Sequence, residues 1–219
     1  MRTCVLTDVC VVAAGMLCCG WTLCNASARF ASVTWLVADV LLLLPFISDF
    51  LRWHASDGVG GRTLARLLAR RANVALLPGG FEEATLYERG RHAVFVKRRR
   101  GFVKYALQAG AQLHPVYVFG EEETFHALRA LKAARLALCA WKVPAVLFWG
   151  APAAPFLPRA AARVAVVVGA PLQLPRIEAP TPQDVARWHD AYCARLQQLF
   201  DAHKAKYATQ GAAATLNMY

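Results

Sequence analysis

Acidic residues are scarce in this chain. Its 219 residues hold 14 Asp and Glu against 25 Lys and Arg, a formal charge of +11. The excess favours anionic partners: nucleic acid, an acidic lipid surface or a phosphorylated cofactor. Paired CxxC motifs are also missing. The seven cysteines are odd in number and irregularly spaced, and five of them (Cys4, Cys10, Cys18, Cys19, Cys24) crowd the first 24 residues. That pattern excludes a zinc ribbon and argues against a disulfide framework. No GxSxG elbow occurs, and no Ser/His/Asp order supports a hydrolase. No histidine pair has metal-ligand spacing beside a carboxylate, so no metal is expected. Neither of the two long apolar runs reaches the roughly 20 clean residues a spanning helix needs. Internal repeats and domain-splitting linkers are likewise missing.

Apolar residues are plentiful at 57%, although Ala/Arg runs such as Ala160-Ala161-Ala162-Arg163 inflate both the apolar and the basic counts. The length supports a buried core, and the composition excludes a disordered chain. Arg2 precedes an apolar run from Val9 to Leu23, followed by Asn25-Ala26-Ser27-Ala28. A second run, Val33 to Ile47, is interrupted by Asp39 and Pro45. Three readings stay open for this region: a signal peptide, interfacial or core segments of a membrane-bound enzyme, or one spanning helix. Apolar surface beside the basic charge, with few basic/aromatic alternations, points to a membrane surface rather than nucleic acid as partner. Residues 1–47 form this apolar segment, 48–208 the main domain and 209–219 a flexible tail.

Within the main domain, residues 48–60 read as a turn-rich connection. Leu64, Leu67 and Leu68 at helical spacing predict a helix over Gly61 to Arg71. Val74 to Leu77, ending in Pro-Gly-Gly, suits a buried parallel strand. Ala93–Lys97, Pro115–Phe119, Val143–Trp149 and Arg163–Val168 are further strands, and Gly101–Ala109 and Glu121–Lys142 are helices. Thr181-Pro182-Gln183-Asp184 opens a last helix with an N-cap, a first-position proline and an acid in the first turn. Its buried stripe is Val185, Trp188, Tyr192, Leu196 and Leu199. Strands alternating with helices predict an α/β fold: a layered, mostly parallel central sheet with flanking helices.

The chemistry concentrates in the middle. Pro78-Gly79-Gly80 places permissive backbone after a strand, at the edge where α/β sheets bind ligands. Glu82 and Glu83 follow as orienting or general-base groups, or as acids at a helix start. Lys97-Arg98-Arg99-Arg100, with Arg89, Arg91 and Lys104 nearby, is a dense cation cluster. It reads as a solvated loop, a nucleic-acid patch, or a clamp for phosphates or acidic head groups. His54, in a polar turn, is the one candidate base among six histidines. His114, fixed as extended by Pro115, is read as structural, and His189 and His203 as surface or packing residues.

From about residue 45 to 208 the chain resembles the type-2 diacylglycerol acyltransferase family, which includes monoacylglycerol and wax-alcohol acyltransferases. The resemblance rests on Leu77-Pro78-Gly79-Gly80-Phe81-Glu82-Glu83-Ala84, Arg100-Gly101-Phe102-Val103-Lys104-Tyr105-Ala106-Leu107, Gly110-Ala111 and His114-Pro115-Val116-Tyr117-Val118-Phe119-Gly120-Glu121. Val168-Gly169-Ala170-Pro171-Leu172 and the helix through Leu199-Phe200-Asp201-Ala202-His203-Lys204 extend it. The resemblance implies transfer of an acyl group from acyl-CoA, a co-substrate rather than a resident cofactor, to a glyceride or fatty-alcohol hydroxyl. It also implies residence at the endoplasmic-reticulum membrane or lipid-droplet surface. Gly79, Gly80 and Glu83 match the family's GGxxE-type block, with Glu83 ordering the active site. Arg98, Arg100 and Lys104 are placed at the coenzyme A phosphates by charge rather than by motif. The family's His-Pro-His-Gly quartet does not occur in this sequence; by spacing, Thr7-Asp8-Val9-Cys10 stands where it is expected. The family's N-terminal membrane hairpin is also not seen. The chain is therefore expected to be either a truncated product or a diverged member with weakened or lost catalysis.

Overall fold

A computed structural model describes residues 3–7, 32–127, 134–135, 137–138, 148–155, 157–159 and 161–219. In chain order its first half runs β1 (Thr3–Thr7), β2 (Val33–Val37), α1 (Ile47–Trp53), β3 (Ser56–Gly58), α2 (Gly61–Ala69) and β4 (Asn73–Leu76). Next come α3 (Gly80–Leu86), β5 (His92–Val94), α4 (Gly101–Ala109) and β6 (Gln112–Phe119). The rest is β7 (His126–Ala127), β8 (Phe148–Trp149), β9 (Ala165–Val168), β10 (Leu172–Gln173), α5 (Pro182–Tyr207) and β11 (Leu216–Met218).

The main sheet has the order β6-β1-β4-β2-β3, all parallel. Beyond β6, its free edge is completed by two antiparallel segments, β10 against Leu113 and Gln112 and β9 against Val116 to Phe119. Strand alternation sorts side chains to the two faces. Leu36, Val74, Leu76, Leu113, Tyr117 and Phe119 face one way and are covered by Leu64, Leu67 and Leu68 of α2, Val103, Ala106 and Leu107 of α4, and Tyr192, Leu196 and Phe200 of α5. Val33, Trp35, Val37, Ala75 and Val116 face the other way, where Leu51 of α1 joins them. The expected α/β architecture is thus the observed one.

Several local expectations are corrected. The supposed turn region 48–60 contains α1 and β3. The supposed helix from Glu121 opens instead as a single 3-10 turn, Glu121–Glu123, followed by β7 paired with β8. Of its remainder, residues 134–135 and 137–138 are helical. Gly120 explains the break: at φ 82° its left-handed backbone turns the chain sharply out of β6. The supposedly flexible tail forms β11, paired in parallel with β5. Most of the cysteine-rich run, residues 8–31, and of the expected strand at 143–147 lies outside the described residues. Among the described residues no helix is long and apolar enough to cross a membrane.

Candidate active site

Parallel strands deliver their loops to one shared edge. β4 ends at Leu76 and β1 one residue beyond Leu6, with Leu6 directly opposite Leu76. The chain therefore leaves β1 at Thr7 beside the Pro78-Gly79-Gly80 turn. That is where Thr7-Asp8-Val9-Cys10 was placed by spacing; its last three residues lie outside the described ones. β6, on the other side of β1, opens onto the same edge through Gly120.

The turn itself is tightly made. Gly80 adopts φ 57°, and a Cβ on Gly79 would collide with the Glu83 carboxylate one helical turn on. Glycine is required at Gly80 by backbone and at Gly79 by close approach. Glu83 is only 2% exposed. Its Oε2 accepts the Phe95 N–H at 2.7 Å, while Oε1 is buried with no hydrogen-bond partner among the described residues. Burial pushes its carboxyl from 4.5 up to about 7, against the opposing pull of the Phe95 N–H. Glu82 adds an ion pair with Arg99, whose guanidinium also lies 5.6 Å over the Phe95 ring.

These contacts strap the loop from Phe95 to Arg100 onto α3. The Gly-Gly turn, Glu83 and the cation cluster, separate blocks in sequence, become one place in space. Arg98, Arg100 and Lys104 are exposed there and make no ion pair among the described residues. Arg100 stands at the N-cap of α4, whose free N–H groups add to the positive potential. Arg89 and Arg91 do not join them: Arg89 pairs with Glu123 at 2.7 Å and Arg91 with Glu88 at 2.7 Å.

His54 is not brought to this edge. It precedes β3, so it lies at the opposite, N-terminal end of the parallel strands, on the order of 15 Å from the turn along the strand direction. Its Nδ1 donates to the Phe50 carbonyl at 2.8 Å and its ring packs on Phe50. It closes α1 and is not positioned as a base for Gly79-Gly80.

A second buried polar group was not foreseen. His92 Nδ1 lies 3.0 Å from the Tyr117 hydroxyl, and His92 Nε2 lies 3.7 Å from Glu122 Oε1. Burial lowers the histidine and lifts the Glu122 carboxyl to about 7, so both favour their neutral forms and the pair is not an ion pair. Sequence placed Glu122 at the start of a helix over Glu121–Lys142; in the structure it lies in the 3-10 turn after Gly120 and is buried. His189 is fully buried and donates Nε2 to the Val96 carbonyl at 3.0 Å, which ties α5 to the cation loop. His114 is buried in β6. Among the described residues no three His, Cys, Asp or Glu side chains could together hold a metal ion.

The sequence pattern of the diacylglycerol acyltransferase family matches residues 9–217, which takes in the Gly79 turn, Glu83 and the cationic loop. The chain belongs to that family. Among its relatives, diacylglycerol O-acyltransferase 2-like protein 6 of Homo sapiens is 32% identical over 202 residues, covering 81% of this chain and 58% of that protein. Human 2-acylglycerol O-acyltransferase 3 is 31% identical over 219 residues, with 87% and 62% covered. Diacylglycerol O-acyltransferase 2 of Dictyostelium discoideum is 30% identical over 172 residues, with 74% and 52% covered. The chain thus spans between half and two thirds of the length of these curated relatives. No solved structure matches it. Within the diacylglycerol acyltransferase family frame, Gly79, Gly80 and Glu83 are joined by geometry as well as by motif.

Proposed function

We propose that this chain carries an acyltransferase centre that moves a fatty acyl group from acyl-CoA to the hydroxyl of a diacylglycerol, a monoacylglycerol or a fatty alcohol. The observation that carries the reading is Glu83: a buried carboxyl that costs stability yet pins both the Gly79 turn and the cationic loop at the ligand edge. In the reaction the acceptor oxygen attacks the thioester carbonyl. The new C–O bond forms, the C–S bond breaks, and the hydroxyl proton ends on the departing thiolate. Backbone N–H groups at Gly79-Gly80 stabilise the oxyanion, and Arg98, Arg100 and Lys104 hold the donor's phosphates. Glu83 is a positioning residue, since its burial sets it behind the turn rather than against substrate. No resident cofactor takes part.

The endoplasmic-reticulum membrane or lipid-droplet surface is the proposed location. The support is an apolar crest before α1, where Leu43 is 81% and Phe46 86% exposed. Phe46 also holds φ 65°, a left-handed backbone that disfavours a non-glycine residue. Such a patch suits a lipid interface.

Membranes containing the folded protein are expected to incorporate labelled acyl-CoA into neutral lipid. Incorporation no higher than an empty-vector control sinks the reading. A pH–rate limb near 7 that vanishes in Glu83→Gln would instead make Glu83 the base itself. One observation favours a second reading, acyl-CoA or lipid binding without turnover: the exit of β1 carries Thr7-Asp8-Val9-Cys10 in place of the histidine motif. Removing a general base costs about 10²–10⁴-fold in rate. Acyl-CoA binding with no turnover favours this second reading.

A further inference from the structure

Beside the exit of β6 lies a cavity of about 340 Å³, lined in part by Arg89, Gly120, Glu123, Arg159, Arg163 and Tyr207. Two guanidiniums, Arg89 and Arg159, meet the Glu123 carboxylate there and Arg163 joins the lining, so the four residues carry two positive charges over. Glu123 orients these cations more than it neutralises them. Its Oε2 lies 2.7 Å from Arg89 Nε and 3.7 Å from Arg159 Nη1, and Arg159 Nη1 also donates to the Glu123 carbonyl at 3.2 Å. Arg89 commits only its Nε, so its two Nη groups have no partner among the described residues. Arg163 is exposed and makes no ion pair among them.

The fold builds this arrangement. A Cβ on Gly120 would collide with the Arg163 carbonyl, so only glycine lets the segment before β9 close against the end of β6. That closure brings Arg163 into the lining of the same cavity as Arg89 and Arg159.

We infer that this cavity is a binding site for a phosphate monoester on an organic ligand. Guanidiniums match phosphate oxygens two at a time. A phosphate monoester carries about −1.5 to −2 at neutral pH, which balances the two surplus charges; a carboxylate would balance only one. The volume falls in the range of small-molecule pockets and exceeds what a bare phosphate fills, and Tyr207 supplies an aromatic wall for the attached group. The site opens on the same sheet edge as the Gly79 turn, two strands away and so roughly 10 Å to the side. Resting on the proposed function, the occupant is the phosphate monoester at the nucleotide end of acyl-CoA. The same chemistry would take the phosphate of a lipid headgroup.

Calorimetric titration of the 219-residue chain separates these sources. The probes are adenosine 3′,5′-bisphosphate, adenosine 5′-monophosphate, and phosphatidylcholine vesicles with and without phosphatidic acid. The variants are Arg163→Ala and Arg163→Glu, with Arg70→Ala at the C-cap of α2 as a charge control. Arg163 is exposed and makes no ion pair among the described residues, so both variants are expected to fold. Arg163→Ala should weaken the bisphosphate about tenfold or more, Arg163→Glu should weaken it further, and Arg70→Ala should change nothing. An Arg163-dependent loss seen only with phosphatidic-acid vesicles keeps the site and assigns it to lipid. Equal affinities of the wild type and both Arg163 variants for every probe overturn it. The titration needs no acyl transfer. Arg163-dependent binding by an inactive chain leaves the site standing, and transfer without such binding removes the site alone.

Discussion

Glutamine at position 83 should make this protein more stable, by a margin that grows as pH rises from about 4.5 to about 7. In the native state burial holds the Glu83 carboxyl at about 7 against an ordinary 4.5. Between those values the folded chain keeps a proton that the unfolded chain has released. The folded state is therefore favoured fully below about pH 4.5, loses that advantage as pH climbs through this window, and stays penalised above 7. At about 1.4 kcal/mol per pH unit the gap amounts to about 3 kcal/mol. Glutamine resembles the protonated acid: its carbonyl still accepts the Phe95 N–H, and no charge is buried. Urea unfolding of wild type and Glu83→Gln at pH 5 and pH 8 reads the effect through the midpoints, provided the m-values agree. The difference should be under about 1 kcal/mol at pH 5 and should swing by a further roughly 2–2.5 kcal/mol towards the variant at pH 8. Glu122, with a similar upward displacement, is common to both proteins and cancels. A difference that does not change with pH, or one that favours the wild type as pH rises, would refute the reasoning. The second outcome would mean that a cation compensates the carboxylate in the fold.

Two further perturbations test the frame around the site. Gly79→Ala should cost about 1–3 kcal/mol in thermal unfolding, because the new Cβ meets the Glu83 Cβ and carboxylate; that cost should shrink in a Glu83→Gly background, a coupling that a double-mutant cycle reads. Thr181→Ala should cost about 1 kcal/mol, because it removes a reciprocal cap in which Thr181 Oγ1 accepts the Asp184 N–H at 3.1 Å and Asp184 accepts the Thr181 N–H at 2.9 Å.

Local signals were the legible ones. α4 runs over Gly101–Ala109 as its apolar spacing predicts, and α5 starts at the Thr181-Pro182 signal and buries the expected Val185, Tyr192, Leu196 and Leu199. Each of these depends on residues within a turn or two. The misses are non-local. β1 lies in a cysteine-rich apolar stretch where nothing marks a strand, and it becomes one because β4 and β6 flank it. The long Arg- and Leu-bearing segment after Glu121 has a helical period, but Gly120 and the β7–β8 pairing override it at the start. At the site, Gly79, Gly80 and Glu83 were readable as a motif. That the cations join them depends on Glu83 reaching Phe95 and Glu82 reaching Arg99, which no spacing rule reveals. His54 was misjudged for a related reason: which end of a parallel sheet a residue occupies is visible only once the strands are ordered.

The pairing of β11 with β5 also sets an order of events. The Lys97 N–H donates to the Tyr219 carbonyl at 2.7 Å and the Tyr219 N–H to the Val94 carbonyl at 2.9 Å, so the cationic loop is clamped by residues more than a hundred positions downstream. On a ribosome adding about 5–20 residues per second, that partner arrives roughly 6–25 s after the loop itself. Until then β5 is an open edge, and Arg98 and Arg100 sit on an untied segment next to a finished Gly79 turn. The cationic loop is therefore clamped only once residues 216–219 have been made, and translation that stalls before Leu216 leaves it untied.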